Sequence, residues 1–461
     1  MYFITIDFGT TNFKIFLWDY NGKIILRRSF PTPILSDNTI DPFAILKIIN
    51  DFFNSLERRY KKIEGISVTG MGEAGLLVDK KGNPLTPIFS WLSEKGSEEL
   101  KILECEREKL FNITGLKILP KYSLAKILWL KKYEKELWEK SYKWLNAVDF
   151  INFYLTDKMV TDYTLASRML LFDIKKKRWS KEILKSFDIP EEKLPQIQPL
   201  GTIIGEINPI LSRKFSLPKF PIILGGHDHP VASLSLNLKN SLLDSWGTAE
   251  AYLIHTREPL LKEDIRKLGF SVGCIKDDLY YLIAGIPFSG GIKKWLKENM
   301  RWEILPKKKS SKVLFFPYLL GEKLSQKDVL IKGFFYGIDH NTTIDDLKTA
   351  VWEGVFYESR DIIENIKNLG VDMEKIILTG GMSRFKSLIE LKANILNIPL
   401  YVSSEKELTS KGLAWTIVRA INPENIDDFQ EKSFYIINPN SKKEYEEKFE
   451  EYKKIKDLLG I

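Results

Sequence analysis

The chain has 461 residues, a length that exceeds one hydrophobic core and suits two or three domains. Its formal charge is +8, but Lys and Arg alternate with Glu, as in 131–143 (KKYEKELWEKSYK), so the pattern indicates solvated helix faces, not nucleic-acid binding. No apolar run reaches the roughly 18 residues of a membrane helix, and no basic leader begins the chain, so we expect a soluble cytoplasmic protein. The cysteines lack disulfide or zinc spacing.

The first half reads as strands and helices in alternation. Strands are predicted over 3–6, 13–18 and 23–30, a helix over 42–62, a buried strand over 63–69 and a neighbouring strand over 76–79. Residues 95–200 are mainly helical, with amphipathic pieces at 124–138 and 148–155. Strands beside helices predict an α/β arrangement.

The centre of the chain, residues 224–234 (LGGHDHPVASL), places a carboxylate, Asp228, behind a glycine pair. A strand over 218–224 and a helix from Val231 put Asp228 at the carboxyl end of a sheet, where open α/β sheets hold reactive groups. Asp228 is a candidate general base toward a hydroxyl that attacks a phosphoryl group, or else a helix cap. A metal site with His227 and His229 is the weaker interpretation, and we favour His229 as a hydrogen-bonding group for a substrate.

The second half repeats the beginning of the chain. The loop 7–11 (DFGTT) has an echo in 244–248 (DSWGT), between strands predicted over 241–244 and 251–255. Further predictions are a strand over 376–379 and helices over 292–299, 343–369 and 442–459, with another ending at 396. Two similarly built halves follow: a domain 1–230 and a domain 231–461 with a peripheral tail from about residue 424.

The two echoing turns suit phosphate binding, because Gly and Thr offer backbone amides and hydroxyl groups to phosphate oxygens. Asp7 can orient a hydrated magnesium ion, and Lys14 can reach the same phosphates. Alone, each turn is equally an ordinary β-turn. The glycine pairs Gly290-Gly291 and Gly380-Gly381 offer close backbone approach to a ligand.

These stretches resemble the FGGY family of carbohydrate kinases, within the actin and Hsp70-like ATPase superfamily. The matches run in the family's order through residues 1–420: IDFGTTNFKIFLWD, ITGLKILPKYSLAKILWL, TDYTLASRMLLFDI, GGHDHPVASL, DSWGTAEA, FSGGIKKWL, FFPYLLGEK and GGMSRF. The resemblance implies two actin-like (ribonuclease H-like) domains with mixed sheets flanked by helices and a cleft between them. It also implies ATP and Mg²⁺, a sugar substrate, no nucleic acid or membrane partner, and compatibility with a homodimer.

The resemblance also implies a role for each matching position. These roles are the catalytic base at Asp228; the magnesium-linked carboxylate at Asp7; phosphate contacts at Thr10, Thr11, Lys14, Gly247 and Thr248; further nucleotide contacts at Gly290 and Gly291; adenosine contacts at Gly380, Gly381 and Arg384; and substrate contacts at Glu73, Trp91 and His229.

Departures from the family pattern bear on the substrate. Glu73 occupies the position of a histidine in the matching stretch of xylulose kinases. Glycerol kinases carry an arginine and a glutamate in this stretch, and this chain has no matching arginine. Glu73 would repel a sugar acid unless a cation lay beside it, so we expect a ketose such as xylulose or a related ketopentose or ketohexose. The alternative substrate is glycerol or another polyol. Glu73 could instead be a surface-loop carboxylate, and Trp91 a core residue.

Two other classes of protein remain as alternatives. One is an actin or Hsp70-like ATPase without sugar kinase activity, and the other is a sugar-binding sensor that has lost catalysis. The ATPase is disfavoured because it would not need Asp228 on a cleft wall beside Glu73 and His229, and the sensor is disfavoured because Asp7, Asp228 and both phosphate-type turns are present together.

Overall fold

A computed structural model describes residues 2–60, 62–236, 238, 240–303, 305, 310–323, 330–440 and 443–460. The chain divides into two compact units, each assembled from three stretches of sequence. The first unit comprises Met1–Asn237, Thr256–Leu282 and Glu407–Glu431, and the second comprises Leu238–His255, Ile283–Lys406 and Lys432–Ile461.

The first unit is built on a mixed sheet that begins with the N-terminal strands. The order across this sheet is Ile203–Glu206, Pro221–His227, Ile63–Gly70, Tyr2–Phe8, Asn12–Asp19 and Ile24–Pro31. Ile63–Gly70 is parallel to both of its neighbours. Among the three N-terminal strands, each adjacent pair is antiparallel. The predicted N-terminal strands are therefore confirmed, and the central strand Ile63–Gly70 is buried along most of its length.

One predicted strand pairing is wrong. Gly75–Val78 does not lie beside Ile63–Gly70 but pairs with Lys143–Asn146, in a separate small sheet with Thr39–Ile40 and Ile88–Phe89. The reason is that both edges of Ile63–Gly70 are already occupied, by Tyr2–Phe8 and Pro221–His227.

Two predicted helices of the first unit are shorter in the structure, whereas the piece predicted over 148–155 is confirmed as Ala147–Thr156. The helix predicted over 42–62 is Pro42–Ser55, which Asp41 caps by accepting bonds from the amides of Phe43 and Ala44. The helix predicted over 124–138 breaks at Glu134 into Ser123–Tyr133 and Lys135–Lys140. The remaining helical segments are Arg58–Tyr60, Leu100–Glu104, Arg107–Thr114, Ala147–Thr156, Tyr163–Ala166, Lys181–Ser186, Glu191–Lys193, Pro209–Phe215, Asp228–Leu234, Glu263–Lys267, Leu408–Ile421 and Pro423–Phe429. The remaining strands that begin in this unit are Val160–Asp162, Phe172–Asp173, Arg178–Trp179, Gln196–Gln198, Ser271–Lys276 and Leu279–Ile286.

The second unit contains the strands Glu250–Thr256, Ser241–Trp246, Lys375–Thr379, Leu400–Ser403 and Phe434–Ile437, adjacent in that order. Its longest helix, Ile344–Asn368, confirms the prediction over 343–369 and begins with a capping box of Thr343 and Asp346. The helix Lys443–Leu459 buries Phe449 and Tyr452 against Tyr357, and Lys442, where we predicted its start, lies outside the described residues.

The other elements of the second unit are short, apart from one helix. They are Ile292–Trp295, Leu296–Met300, Leu314–Phe316, Glu322–Lys323, Leu330–Ile331, Phe334–Tyr336, Gly381–Arg384 and the helix Lys386–Leu396. Among all helices in the described residues, none is long and apolar enough to cross a lipid bilayer.

Candidate active site

Asp228 lies where the strand Pro221–His227 meets the helix Asp228–Leu234, as the sequence predicted in outline. The strand continues through the glycine pair, so the helix begins at Asp228 itself and not near Val231. Gly226 has φ +89°, and a Cβ on it would lie 2.4 Å from Oγ1 of Thr164. The Thr164 hydroxyl accepts a bond from the His227 amide at 2.7 Å. Only glycine fits beside this hydroxyl, and the contact sets where the strand ends.

Both histidines beside Asp228 turn toward its carboxylate. Nε2 of His227 lies 3.2 Å from Oδ1 of Asp228, and Nε2 of His229 lies 3.9 Å from the same atom. The His229 amide donates to Oδ1 at 2.7 Å. Burial lowers the pKa of His227 to about 4, so His227 is neutral near pH 7 and can donate its Nε2 proton to Asp228. Asp228 is therefore oriented by its neighbours while remaining about a quarter exposed.

Asp7 lies near the end of the strand Tyr2–Phe8, directly opposite Lys14 on the next strand. Burial raises the pKa of Asp7 to about 7; the Lys14 cation opposes this shift, whereas the carboxylates of Asp228 and Glu407 add to it. Asp7 thus belongs to one group of three carboxylates and a lysine in the first unit, and the structure brings it together with Asp228.

Glu407 was missed by the sequence analysis. It immediately precedes the helix Leu408–Ile421, and its carboxylate binds Nζ of Lys14 at 2.9 Å and Nη2 of Arg27 at 2.6 Å. Lys14, expected to face phosphate oxygens, is therefore ion-paired within the protein. No local pattern could identify Glu407, since it lies 393 residues from Lys14.

The threonines of the first turn differ in exposure. Oγ1 of Thr10 accepts a bond from the indole Nε1 of Trp91 at 2.8 Å, whereas Thr11 is exposed. Trp91 is half-buried and packs against the apolar core of the unit. The Trp91 ring thus contributes to the core and also binds the predicted phosphate turn.

Glu73 is buried, so its interpretation as a surface-loop carboxylate is wrong. Nε and Nη2 of Arg168 donate to its Oε1 at 3.0 and 2.5 Å, and Nζ of Lys121 lies 3.2 Å from the same oxygen. Burial by itself raises the pKa of Glu73, but the charges of Lys121 and Arg168 outweigh it and hold the pKa well below its usual value. Glu73 is therefore an ionised carboxylate with cations beside it.

These cations change one premise of the sequence analysis. The chain lacks an arginine adjacent to Glu73, but Arg168 supplies one from a distant stretch. Lys121 and Arg168 lie in two stretches that carried the family resemblance, 113–130 and 161–174, which was the available signal. Because cations lie beside Glu73, its charge no longer argues against a sugar acid.

In the second unit, three predicted turns contact one another. The amides of Ser289 and Gly291 donate to the Thr248 carbonyl at 3.1 and 2.9 Å. A Cβ on Gly290 would lie 2.1 Å from the Gly247 carbonyl oxygen. Gly380, at φ +98°, would place a Cβ 2.5 Å from the carbonyl oxygen of Trp246. The three turns thus pack backbone against backbone at distances that a Cβ atom on Gly290 or Gly380 would not allow.

The side of these turns that carries Gly381 and Arg384 is exposed to solvent. Gly381 is exposed and has open space around it, and Arg384 is exposed with its guanidinium 5.0 Å from the Phe385 ring centre. The structure therefore places Gly380, Gly381 and Arg384 on one short segment of the second unit.

A buried polar network supports the turns, and sequence reasoning missed it. Nζ of Lys392 contacts carboxylate oxygens of both Asp244 and Glu250, and all three side chains are fully buried. Oγ of Ser289 donates to Glu250 at 2.5 Å and accepts from the indole of Trp246 at 2.9 Å. Asp244 is therefore an internal ion-pair partner, unlike Asp7, although the two loops are alike in sequence.

Comparisons with known proteins cover nearly the whole chain. Residues 2–235 match the model of the FGGY family of carbohydrate kinases, N-terminal domain, and residues 242–421 match that of its C-terminal domain. A xylulose kinase of Staphylococcus xylosus is 25% identical, over 99% of this chain and 100% of its own length. A glycerol kinase of Aquifex aeolicus is 28% identical, over 99% and 97%.

A crystal structure of gluconate kinase from Lactobacillus acidophilus superposes with a TM-score of 0.90, covering 100% of this chain and 98% of that one at 24% identity. This likeness concerns the fold. With the family matches over both halves, it confirms the predicted α/β fold with two actin-like domains.

Proposed function

Because the chain belongs to the FGGY family of carbohydrate kinases and is a phosphotransferase, we propose that it transfers the γ-phosphoryl group of ATP to a hydroxyl group of a small sugar. The observation that carries this proposal is the position of Asp228, an accessible carboxylate oriented by two histidines and close enough to Asp7 to raise its pKa. A carboxylate so placed can accept the proton of an attacking hydroxyl group.

Asp228 is the general base in this proposal. Its Oδ1 is held by the His229 amide and faced by the neutral His227, so the carboxylate points in a defined direction. Phosphoryl transfer depends mainly on positioning and charge stabilisation, and this geometry supplies the positioning of the acceptor. His229, about one third exposed, is the candidate to hydrogen-bond the sugar beside the base.

The carboxylates near Asp7 fit a magnesium ion. Burial and the nearby carboxylates of Asp228 and Glu407 make Asp7 costly to ionise, and a cation would relieve this cost. Mg²⁺ commonly uses one or two protein carboxylates and retains waters, so Asp7 is a sufficient protein ligand and Asp228 stays available as the base. When bound, the ion neutralises charge on the phosphoryl group that is transferred.

Nucleotide contacts are proposed mainly for the second unit. The exposed Thr248, beside Gly247, is the proposed phosphate contact, and the buried Gly290 and Gly291 are proposed to shape this turn, because the Gly291 amide donates to the Thr248 carbonyl. Gly380, Gly381 and Arg384 are proposed contacts of adenosine. In the first unit, Thr10 and Thr11 are proposed phosphate contacts, and Lys14 is one if it exchanges Glu407 for phosphate. The sugar and base thus belong to domain 1–230 and most of the nucleotide site to domain 231–461.

The proposed substrate is a ketose such as xylulose or a related ketopentose or ketohexose. Oε1 of Glu73 takes all three contacts from Arg168 and Lys121, so Oε2 is the oxygen proposed to accept sugar hydroxyl groups. A second candidate class is a sugar acid, and the specific observation in its favour is Lys121, about 30% exposed beside Glu73.

A coupled assay of ADP release across ketoses, polyols and sugar acids tests the proposal. We expect ADP formation to depend on one of these classes, and Asp228→Asn to abolish it while ATP binding by calorimetry is retained. Asp278→Asn, an exposed carboxylate outside the site, is the matched control and should keep full activity. Absence of sugar-dependent ADP release from the wild type, or full activity of Asp228→Asn, would contradict the proposal.

A further inference from the structure

Lys126 lies on the helix Ser123–Tyr133 and is 1% exposed. Lysine is almost never fully buried unless its ammonium group is compensated, because transfer of a charge out of water is costly. A buried lysine at this position therefore requires partners that offset the cost.

The partners of Lys126 are backbone carbonyl groups. Its Nζ donates to the carbonyl oxygens of Glu73 at 3.2 Å, Ser90 at 2.6 Å and Lys121 at 3.0 Å. An ammonium group has three N–H donors, so the three bonds use its full donor capacity. Deletion of this amine would remove a bond from three carbonyl groups, of which that of Ser90 keeps the bond from the Ser93 amide.

Each of the three carbonyl groups belongs to a different stretch that carries a residue of the candidate sugar site. Glu73 is the proposed hydroxyl acceptor, Ser90 immediately precedes Trp91, and Lys121 binds the Glu73 carboxylate. Glu73 precedes and Ser90 follows two paired strands of the small sheet, Gly75–Val78 and Ile88–Phe89, whereas Lys121 lies just before the helix that carries Lys126. Lys126 thus binds the backbone of all three stretches through one ammonium group.

From this geometry we infer that Lys126 is a positioning residue for the sugar site, which sets the spacing of Glu73, Trp91 and Lys121 through their backbones. The inference rests on the proposed function. Lys126 does not touch the substrate in this arrangement. It acts on the sugar through Glu73 and its neighbours, so its loss should weaken sugar binding selectively and leave the nucleotide contacts of the second unit unchanged.

Protonation of Lys126 should control this role. Burial lowers the pKa of Lys126 to about 7; the Glu73 charge opposes the shift and the Lys121 charge adds to it. Arg168 binds the same oxygen of Glu73 as Lys121 does, and the two cations keep that carboxylate ionised. Above neutral pH the neutral amine has two N–H groups for three carbonyl groups, so one of the three stretches loses its bond.

Steady-state kinetics of Lys126→Met, Lys126→Arg and wild type test the inference, with the best sugar from the ADP-release assay. We expect Lys126→Met to raise KM for the sugar about tenfold and to leave KM for ATP within about twofold. Lys126→Arg keeps a cation and should recover part of the sugar affinity. The control Lys140→Met, on the neighbouring helix Lys135–Lys140, removes an exposed ion pair with the exposed Glu136 and should change neither constant.

The pH profile of the wild type provides a test that does not depend on a folded variant. KM for the sugar should rise several-fold between about pH 6 and pH 8, while KM for ATP does not follow it. A sugar KM that does not change with pH, or a Lys126→Met variant with unchanged sugar KM, would overturn this inference but not the proposed function. A wild type that phosphorylates no sugar would overturn the proposed function and this inference with it.

Discussion

Arg168 donates to Oε1 of Glu73 through both Nε and Nη2, although the two residues are 95 positions apart in the chain. Both side chains are buried, and Lys121 binds the same oxygen. Two guanidinium donors and the Lys121 ammonium converge on this one oxygen, which holds it in place and leaves Oε2 of Glu73 outside these contacts. Glu73 is therefore presented to a ligand in one orientation and in one charge state.

Substitution of Arg168 by Met should destabilise the protein by about 3 kcal/mol or more, because a buried carboxylate loses its main partner. KM for the sugar should rise at the same time, since Glu73 is no longer held in place. Urea unfolding and steady-state kinetics measure the two effects. Arg59→Met, which removes an exposed ion pair with Glu57, should leave the stability almost unchanged and serves as the control. Equal effects of the two substitutions would contradict this role of Arg168.

Acid unfolding should depend on Glu73. Its folded pKa is depressed by Lys121 and Arg168, so the stability it contributes is fully present above its unfolded pKa of about 4.3 and is lost as the pH falls toward the folded value. The free energy of unfolding of the wild type should therefore decrease below about pH 4 more steeply than that of Glu73→Gln. Denaturant titrations between pH 3 and pH 7 measure the difference, and parallel curves would show that Glu73 is not the responsible group.

For Asp7 we expect the opposite dependence of stability on pH. Its folded pKa is raised to about 7, so the folded state binds more protons than the unfolded state between about pH 4 and pH 7, and stability decreases as the pH rises through this window. Mg²⁺ should counteract the loss, and should raise the thermal midpoint more at pH 8 than at pH 6. Asp7→Asn should abolish this difference. A Mg²⁺ shift that is independent of pH and of Asp7 would place the ion elsewhere.

Gly290→Ala should damage the nucleotide turns. The added Cβ would lie 2.1 Å from the Gly247 carbonyl oxygen and 2.6 Å from Cγ of Met382, so the two turns must separate. We expect KM for ATP to rise about tenfold with little change in KM for the sugar.

Gly370→Ala is the matched control for the glycine substitution. Gly370 has φ +77° but no atom within 4 Å of an added Cβ, so only backbone strain of about 1 kcal/mol is expected. Its KM for ATP should equal that of the wild type. An equal loss of ATP affinity in both variants would assign the effect to general destabilisation and not to the turns.

Much of the site was predictable because its chemistry lies at the ends of regular elements. The alternation of apolar strands with glycine-rich turns predicted Asp7 and Asp228 at strand ends, and the structure confirms both positions. The family resemblance followed from the same stretches. Where a boundary was wrong, as at Asp228, a tertiary contact was responsible: the Thr164 hydroxyl beside Gly226 holds the strand extended through the glycine pair.

The amino-acid sequence by itself determined the family, the α/β class and the turns, because periodicity and turn chemistry act over a few neighbouring residues. Only the tertiary structure decided which charges meet. Arg168 with Glu73, Glu407 with Lys14 and Lys392 with Asp244 are all pairs of residues distant in sequence. Such pairs carry no local pattern, since burial and the order of strands bring them together, and burial gives each charge its energetic weight.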